Sequence, residues 1–329
     1  MGTLYLDRKG LEIRADGSAL ALYEHGARVR TVPAALLDRV VIRAETAFTS
    51  GVLGMLAEAG VAITVLGGRQ GRRVALVMGR GHNDARIRLA QYVRSQDAAF
   101  RLSWACRFIE KKVAHQIAFL EAALARRADL RKPLTDALAT LRSLRLRLGG
   151  SRPEIAEAGV LRGIEGAAQA AYFRAYCVLF PASLHFVGRN RRPPLDPVNA
   201  CLSLGYTLTH AEAVRVAYAA GLDPLIGFYH ETAFGRESLA CDLIEPLRAA
   251  VDAWVWALFR NRTLREEHFK SDQGACLLDK VGRAHFYEQF EGFLHPVSRR
   301  LRRYCRVLVR ALLDGIAAPD EQGFGEEEP

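Results

Sequence analysis

One glutamate in the middle of the chain lies where a carboxylate needs a partner. Glu165 is surrounded by small and apolar residues in the run Leu161-Arg-Gly-Ile-Glu-Gly-Ala-Ala-Gln-Ala-Ala-Tyr-Phe. A carboxylate on such a stripe is costly to remove from water unless it is paired or bound to a metal ion. An ion pair with Arg162 is the simpler explanation, and a metal site is the more interesting one. The residues alone leave both open.

A second segment combines one imidazole with two acids. His230 ends the run Gly227-Phe-Tyr-His, just before a helical pattern that contains Asp242 and Glu245. These two acids are three positions apart, so they project from the same helix face. One imidazole with several carboxylates suits Mg²⁺ or Mn²⁺ better than a closed structural zinc site. Taken singly, such a histidine is more often a capping or core residue than a ligand, and such acids more often belong to a solvated face.

The third segment is basic and precedes a helix. It reads Arg189-Asn-Arg-Arg-Pro-Pro-Leu-Asp-Pro-Val-Asn199, in which Asp196 followed by proline is typical of a helix N-terminus. Arg189, Arg191 and Arg192 predict a solvated loop or, beside a metal site, a clamp for phosphate. Asn199 could bind a ligand or simply help to start the helix.

The elements before these segments are mostly strands. Short alternating runs, separated by turn signals such as Asp16-Gly17 and His25-Gly26, predict a small β-rich domain at residues 1–80. One short helix is predicted at 50–59, with a cap at Thr49-Ser50 and an end at Gly60. The predicted strands are 3–7, 11–14, 19–23, 27–32, 39–43, 61–66 and 73–77.

The rest of the chain has helical periodicity and contains all three of the segments described above. Residues 81–90 are predicted to link the two domains, 91–316 to form an α-helical metal-dependent catalytic domain, and 317–329 to form a disordered acidic tail. The predicted fold class is therefore α+β, a small β-rich N-terminal domain followed by a larger all-α domain. The predicted helices are 85–94, 97–126, 131–148, 153–180, 197–220, 237–260 and 285–313.

The charge balance favours a polyanionic partner. The 329 residues contain 46 Lys and Arg against 36 Asp and Glu, a net charge of +10, and 40 of the 46 bases are Arg. The last ten residues hold five acids and no base, so the body without them carries +15. A GC-rich genome explains a high Arg-to-Lys ratio, but it does not explain the excess of bases over acids. Arg is also the better bidentate ligand for phosphate.

Several classes of protein are excluded or disfavoured. No run of about 18 uncharged apolar residues is present, so no membrane span is expected. The N-terminus lacks the apolar core of a signal peptide. The six cysteines are scattered without a CxxC pair, as is typical of reduced thiols in a cytoplasmic protein.

The three segments, in this order after a β-rich N-terminus, resemble the CRISPR-associated endonuclease-integrase family. The matching runs are Leu161-Arg-Gly-Ile-Glu-Gly, Asp196-Pro-Val-Asn-Ala with Leu204-Gly-Tyr, Gly227-Phe-Tyr-His, and Gly235-Arg-Glu-Ser-Leu-Ala-Cys-Asp-Leu-Ile-Glu-Pro-Leu-Arg. Leu4-Tyr-Leu-Asp and Val61-Ala-Ile-Thr-Val also resemble its N-terminal domain. The similarity spans nearly the whole chain.

The resemblance implies a site for Mg²⁺ or Mn²⁺ in the helical domain. Its metal ligands are expected to be Glu165, His230 and Glu245, with Asp242 as an adjacent catalytic acid. Many relatives carry Tyr directly before that Asp, where this chain has Cys241, so no tyrosine function can be transferred to that position.

The implied activity is that of a DNA endonuclease and integrase. It inserts short foreign DNA fragments into a CRISPR array by attack of a 3′-hydroxyl on phosphodiesters of the repeat, and it cleaves branched DNA by the same chemistry. The expected partners are double-stranded and branched DNA, a second copy of the chain through the β domain, and a small ferredoxin-like CRISPR protein. The residues expected to contact DNA are Arg162, Arg189, Arg191, Arg192, Asn199, Arg236 and Arg248.

Two other classes of function remain. In a non-catalytic nucleic-acid-binding protein, the acids would form ion pairs only, and DNA binding would depend on salt but not on a chelator. A helical metal-dependent phosphohydrolase of small molecules is the other alternative, although it needs no strongly basic body.

Overall fold

The computed structural model describes residues 2–67, 73–79, 81–148, 155, 157–190 and 193–314. Two predictions concern residues outside these ranges, namely phosphate binding by Arg191 and Arg192 and disorder of the tail at 317–329.

Two four-stranded sheets form the N-terminal part. Its strands and helix are β1 (Gly2–Leu6), β2 (Leu11–Asp16), β3 (Ala19–Glu24), β4 (Ala27–Pro33), β5 (Leu37–Ile42), β6 (Thr46–Phe48), α1 (Ser50–Glu58), β7 (Ala62–Gly67) and β8 (Arg73–Val77). One sheet has the order β4-β3-β2-β6, with tight antiparallel turns after Asp16 and Glu24. Gly17 and Gly26 adopt positive φ values of 57° and 82° there, as such turns require.

The second sheet separates two hydrophobic cores. Its order is β1-β5-β7-β8, and β5 runs parallel to both of its neighbours. Val40 and Ile42 pack with the first sheet and α1, whereas Val41 points into the core of the helical domain. A strand that is buried on both faces reads as a continuous apolar run, which is why β5 shows no alternation.

One strand of the first sheet was not predicted. Strand β6 has three residues and pairs in parallel with β2 from Leu11 to Ile13. A segment of this length is too short to show a period of two in the sequence.

The helical part follows the predicted order closely. Its regular elements are α2 (Ala85–Gln96), α3 (Ala98–Leu124), α4 (Arg131–Leu148), α5 (Ala158–Cys177), α6 (Pro197–Ala219), α7 (Ser238–Ile244), α8 (Arg248–Arg260), β9 (Phe269–Asp272), β10 (Ala275–Leu278) and α9 (Lys280–Leu313). The strand-rich region followed by a mostly helical one confirms the predicted fold class.

The prediction of a single helix over 237–260 is wrong. The structure has α7, a 3₁₀ turn at Glu245–Leu247, and then α8. Pro246 has no backbone N–H and its ring clashes with the preceding helical turn, so a regular helix cannot pass through it. The break places Glu245 at the end of α7 rather than on the flank of a continuous helix.

No pattern in the sequence predicts the hairpin that precedes the last helix. Strands β9 and β10 pair antiparallel across Gln273 and Gly274, which both have positive φ. Helix α9 starts at Lys280, five residues before its predicted start, because the side chain of Asp279 caps it by accepting a hydrogen bond from Gly282 N (2.6 Å).

A buried ion pair joins the two parts of the chain. Arg39 of β5 donates to Glu212 Oε2 of α6 (2.9 Å), and Arg215 donates to both oxygens of the same carboxylate (2.8 and 2.7 Å). Ser298 of α9 donates to Glu212 Oε1. Burial alone would raise the pKa of Glu212, but the two arginines outweigh it and lower the pKa. Strand β5, α6 and α9 are therefore fixed to one another by one charged side chain.

None of the described helices is long and apolar enough to cross a bilayer.

Candidate active site

Glu165 projects from α5 beside the core. Leu161, Ile164 and Ala168 fill the buried face of this helix, so Glu165 lies at the edge of that face. Its side chain is 23% exposed, and its Oε1 accepts a hydrogen bond from the ammonium of Lys112. The predicted pair with Arg162 does not form, because Arg162 donates instead to Glu231 (2.9 Å).

Lys112 lies on the buried face of α3. Phe108, Ile109 and Val113 around it are at most 5% exposed, and Lys112 itself is 3% exposed. Its Nζ contacts Glu165 Oε1 and also lies 2.8 Å from Glu245 Oε2. A single buried ammonium therefore joins two carboxylates from different helices.

Glu245 is fixed in the turn that Pro246 creates. It is 3% exposed, and its Oε1 accepts a hydrogen bond from Arg248 Nε (2.7 Å). Burial would raise the pKa of this carboxyl, but the charges of Arg248 and Lys112 hold the pKa at about 2. Its Oε2 is buried and receives no well-aligned hydrogen bond from the described residues, although Lys112 Nζ is close. That oxygen has spare capacity for a further ligand.

Asp242 organises the loop that carries His230. It is completely buried, and its Oδ2 accepts hydrogen bonds from the backbone N–H groups of Phe228 (2.6 Å) and Tyr229 (3.0 Å). Its Oδ1 accepts from His230 N (2.9 Å) and bonds the His230 ring at Nδ1 (2.7 Å). Four contacts use both oxygens, so Asp242 positions the loop and is poorly placed to bind a ligand directly.

The loop approaches Asp242 so closely that only glycine fits before it. A Cβ on Gly227 would lie 2.8 Å from Asp242 Oδ2 and 2.9 Å from the carbonyl oxygen of His230. Contacts this short do not occur with real side chains, so residue 227 must lack one.

The contact with Asp242 also determines which ring nitrogen of His230 can accept a ligand. Because the carboxylate binds Nδ1, that nitrogen carries the proton in the neutral ring, and Nε2 is left with a lone pair. The side chain is 23% exposed, which leaves it open to a ligand.

Tyr229 shows that the predicted acids share one neighbourhood. Its ring packs edge-on against His230 with centroids 4.9 Å apart. Burial is the largest cause that raises the pKa of Tyr229, and the negative charges of Glu165, Glu245 and Asp242 raise this pKa further. The structure thus brings together Glu165, His230, Asp242 and Glu245, the four residues that the sequence singled out.

Known proteins match this chain over nearly its whole length. The family described as "CRISPR associated protein Cas1" matches residues 4–292. A CRISPR-associated endonuclease Cas1 from Thermodesulfovibrio yellowstonii is 39% identical over 323 residues, which are 95% of this chain and 98% of that protein. The chain belongs to the Cas1 family. A second relative, from Thermus thermophilus, is 31% identical over 95% of this chain and 94% of its own length.

Solved structures agree with this membership. The Cas1 protein TM1797 from Thermotoga maritima is 25% identical, with a TM-score of 0.79 over the full length of both chains. A casposase bound to an integration product has the same fold at 22% identity, with a TM-score of 0.80 over 94% of this chain and 91% of its own. A chain of a Cas6-RT-Cas1–Cas2 complex matches with a TM-score of 0.78 at 21% identity, over 95% of this chain and 35% of that one.

The donor atoms of the Cas1-family site, rather than their present arrangement, suit a divalent cation. In the described part of the chain no three His, Cys, Asp or Glu side chains are arranged, as they stand, so that they could hold a metal ion. The donors are nevertheless of the right kind: Glu165 and Glu245 converge on one positive charge, Glu245 Oε2 has spare capacity, and Nε2 of His230 has no partner among the residues that the structure describes. Two carboxylates and one imidazole suit Mg²⁺ or Mn²⁺, so the residues fit the expected ion.

The arginines expected to contact DNA differ in how tightly the chain itself holds them. Arg248 is bound to Glu245, and Arg162 is exposed and paired with Glu231. Arg236 is partly buried, with an Nε that lacks a partner among the described residues. DNA contacts by these three residues stay predictions.

The segment 189–199, which was the third predicted site segment, stabilises its own loop. Asn199 is fully buried and donates to the carbonyl of Gly188 (2.8 Å) and to Asp196 Oδ2 (2.6 Å), and its Oδ1 accepts a hydrogen bond from Arg189 (2.7 Å). A DNA contact by Asn199 stays a prediction that this arrangement does not favour. Arg189 also lies over the ring of Tyr206, and Arg248 lies over it as well, at 5.6 and 5.0 Å from the ring centroid.

A cleft opens beside the carboxylates. It has a volume of about 820 Å³, and Arg248 lines it while also binding Glu245. Its other polar lining residues include Arg189, Ser203, Tyr206 and His210. The cleft is large enough for a nucleotide, and its lining contains Arg189 and Arg248 as well as the acid Glu237.

Lys112 is the one member of this site that sequence reasoning missed. A usable signal was present: Lys112 and Gln116 are polar residues four positions apart on the apolar face of α3, where both are buried. A buried lysine needs a carboxylate partner, and Glu165 was the isolated acid that lacked one.

Replacing Asp242 tests its positioning function. In Asp242→Ala the three backbone N–H groups and the His230 ring lose their acceptor, and each unsatisfied buried donor costs about 1–3 kcal/mol. We expect the free energy of unfolding in urea to fall by about 3–5 kcal/mol. Hydrogen exchange should speed up at the amides of residues 228–230. The control is Glu231→Gln, an exposed acid of the same loop, which should change neither quantity. Unaltered exchange at these amides in Asp242→Ala would show that the loop does not depend on Asp242.

Proposed function

We propose that this Cas1-family chain is a metal-dependent DNA endonuclease and integrase that inserts short foreign DNA fragments into a CRISPR array. The observation that carries the proposal is the pair Glu165 and Glu245, which converge on one cation next to a histidine oriented by Asp242. The relatives named as Cas1 endonucleases support the activity, and the casposase bound to an integration product has the same fold.

The proposed metal ligands are Glu165, Glu245 and His230. The oxygens would come from Glu165 and from Oε2 of Glu245, and the nitrogen would be Nε2 of His230. When bound, Mg²⁺ or Mn²⁺ supplies Lewis-acid stabilisation of the negative charge that builds up on the attacked phosphate. Asp242 keeps the imidazole oriented, and Arg248 keeps Glu245 in place.

The proposed reaction exchanges one phosphodiester for another. The 3′-hydroxyl of a short DNA fragment attacks a phosphodiester at the edge of the repeat, loses its proton, and becomes ester-linked to the phosphorus. The 3′-oxygen of the repeat strand leaves and takes up a proton. Hydrolysis of branched DNA is the same displacement with water as the nucleophile.

Access to the carboxylates is open on the side of α5. Gly163 and Gly166 flank Glu165 and are exposed, and a Cβ at either position would meet nothing within 4 Å. Without side chains there, the backbone of a DNA strand can approach Glu165 closely. Arg248 and Arg189 in the adjoining cleft are the proposed phosphate ligands.

A second basic surface, which we call the α9 stripe, is proposed to hold the body of the duplex. Arg299, Arg303, Arg306 and Arg310 are all exposed on α9 and lie within one narrow strip, because helical residues advance by about 100° each. Arg300 and Arg302 flank it. Among the described residues, none of these six arginines forms an ion pair. Unpaired arginines spaced over about 16 Å suit the phosphates of DNA better than a structural function.

We also propose that two copies of this chain assemble through the β domain, together with a small partner protein. Strand β4 is an edge strand with most of its residues exposed, including Val29 at 51%. An exposed edge strand offers unpaired backbone groups to another chain, which supports a homodimer through the β domain. The structural match to a chain of a Cas6-RT-Cas1–Cas2 complex supports a small CRISPR protein, expected to be ferredoxin-like, as a further partner.

An integration assay tests the proposed activity. A labelled DNA fragment and a supercoiled plasmid with a CRISPR repeat are incubated with the protein, the partner protein and Mn²⁺ or EDTA. We expect Glu165→Gln and His230→Ala to lower strand transfer by at least about 10²-fold, because each loses a metal ligand, while DNA affinity changes little. The control is Glu121→Gln, an exposed acid of α3 that should stay fully active.

The outcomes of that assay separate the alternatives. DNA binding without strand transfer, indifferent to EDTA, indicates a non-catalytic nucleic-acid-binding protein. Metal-dependent hydrolysis of small phosphate esters without any reaction on DNA indicates a phosphohydrolase. Full strand transfer in both site variants contradicts the proposed site.

The salt dependence of DNA binding tests the α9 stripe. Each lost phosphate contact lowers the slope of log K against log salt by about 1. We therefore expect the double variant Arg303→Ala/Arg306→Ala to lower the slope by about 2. The matched control is Arg142→Ala/Arg145→Ala on α4, since these arginines already pair with Glu121 and Glu110. Equal slopes for the two double variants would exclude the stripe as a DNA contact.

A further inference from the structure

Lys112 contacts the two oxygens through which Glu165 and Glu245 would bind a divalent ion. Its ammonium contacts Glu165 Oε1 and lies 2.8 Å from Glu245 Oε2, and the side chain is 4% exposed. The second oxygen of Glu245 is held by Arg248 instead, through a separate hydrogen bond of 2.7 Å. The two bases thus bind Glu245 on different oxygens.

A divalent ion and this ammonium cannot both occupy that position. Mg²⁺ and similar ions lie about 2.0–2.2 Å from carboxylate oxygens, which is inside the space that Nζ now fills. Two cations this close also repel each other strongly in a site with little water. Arg248 faces no such conflict, because its oxygen is not the one that Lys112 contacts.

We propose that Lys112 is a resident counter-cation. It holds Glu165 and Glu245 together in the metal-free protein, and a divalent ion binds by displacing its ammonium from both carboxylates. The inference rests on the proposed function, since it takes these carboxylates as the metal ligands.

Removal of the ammonium is therefore expected to have two opposite effects, a loss of stability and a gain in metal affinity. Without the ammonium, the buried carboxylate of Glu245 and the partly exposed carboxylate of Glu165 face each other without the cation that joins them, so the metal-free protein becomes less stable. For the same reason the metal ion no longer has to displace a cation, so it binds more tightly. Lysine suits this exchange, because its point charge sits on a flexible stem and can move away without leaving a rigid fork behind.

A structural ion pair would behave differently. If Lys112 stayed in place when the metal bound, it would help to orient the ligands. Its removal would then weaken metal binding or leave it unchanged. The direction of the change in affinity therefore distinguishes a displaced cation from a fixed one.

The test measures Mn²⁺ binding by calorimetry, without DNA, for the full chain and for Lys112→Met. We expect the variant to bind Mn²⁺ about tenfold more tightly, within the range typical of coupled binding equilibria. In EDTA its thermal midpoint should be lower than that of the unaltered chain, and Mn²⁺ should raise it by more. Lys112→Arg keeps a cation at this position and is the matched control, which should show no gain in affinity for Mn²⁺.

The double variant Lys112→Met/Glu165→Gln separates this inference from the proposed function. Loss of the tight Mn²⁺ binding there places the ion on Glu165. If Lys112→Met binds Mn²⁺ no more tightly than the unaltered chain, while Glu165→Gln weakens binding, the proposed metal site stands and the counter-cation is wrong. If neither the unaltered chain nor Lys112→Met binds Mn²⁺, the metal site and the counter-cation are both wrong.

A second measurement does not require Lys112→Met to fold. The chain has six lysines, so labelling with ¹³Cε-lysine gives a small set of NMR signals. The signal missing from Lys112→Arg belongs to Lys112. We expect Mg²⁺ to shift this signal and to leave the other five in place. A Lys112 signal that stays unchanged at saturating Mg²⁺ would overturn the proposal.

Discussion

The candidate site depends on one buried positive charge between two negative ones. The ammonium of Lys112 joins Glu165 and Glu245, and without a cation those carboxylates would repel each other in a place with little water to screen them. Three separate parts of the helical domain, α3, α5 and the turn after α7, are brought to one point by this interaction. Their packing places both carboxylates against the same ammonium.

The surroundings of the pair are built to keep that geometry. Pro246 ends α7 and turns Glu245 toward Lys112, and Arg248 holds its other oxygen. Asp242, one turn earlier, binds the loop of His230 through four hydrogen bonds. Two acids three residues apart therefore act differently. Glu245 has an oxygen available to a ligand. Asp242 uses both oxygens in hydrogen bonds within the chain and acts by orienting His230.

Much of the fold and of this site could be predicted from the sequence. Alternating strands, Gly-containing turns and long helical patterns predict the β-then-α order, and the sequence motifs single out Glu165, His230, Asp242 and Glu245. The sequence does not connect Lys112 to the site, because its partners lie far away along the chain, Glu165 by 53 positions. The different functions of Asp242 and Glu245 could not be predicted either, because they arise from the break in the helix at Pro246. The short strands β6, β9 and β10 carry too few residues to show a period.

The most direct test of this site is a crystal of the full chain soaked in Mn²⁺, examined by anomalous diffraction. We expect a strong peak bound by Glu165, by Oε2 of Glu245 and by Nε2 of His230, with the ammonium of Lys112 moved away from both carboxylates. A map with no peak there and Lys112 still between Glu165 and Glu245 would contradict the metal site, as would a peak bound to Asp242 instead.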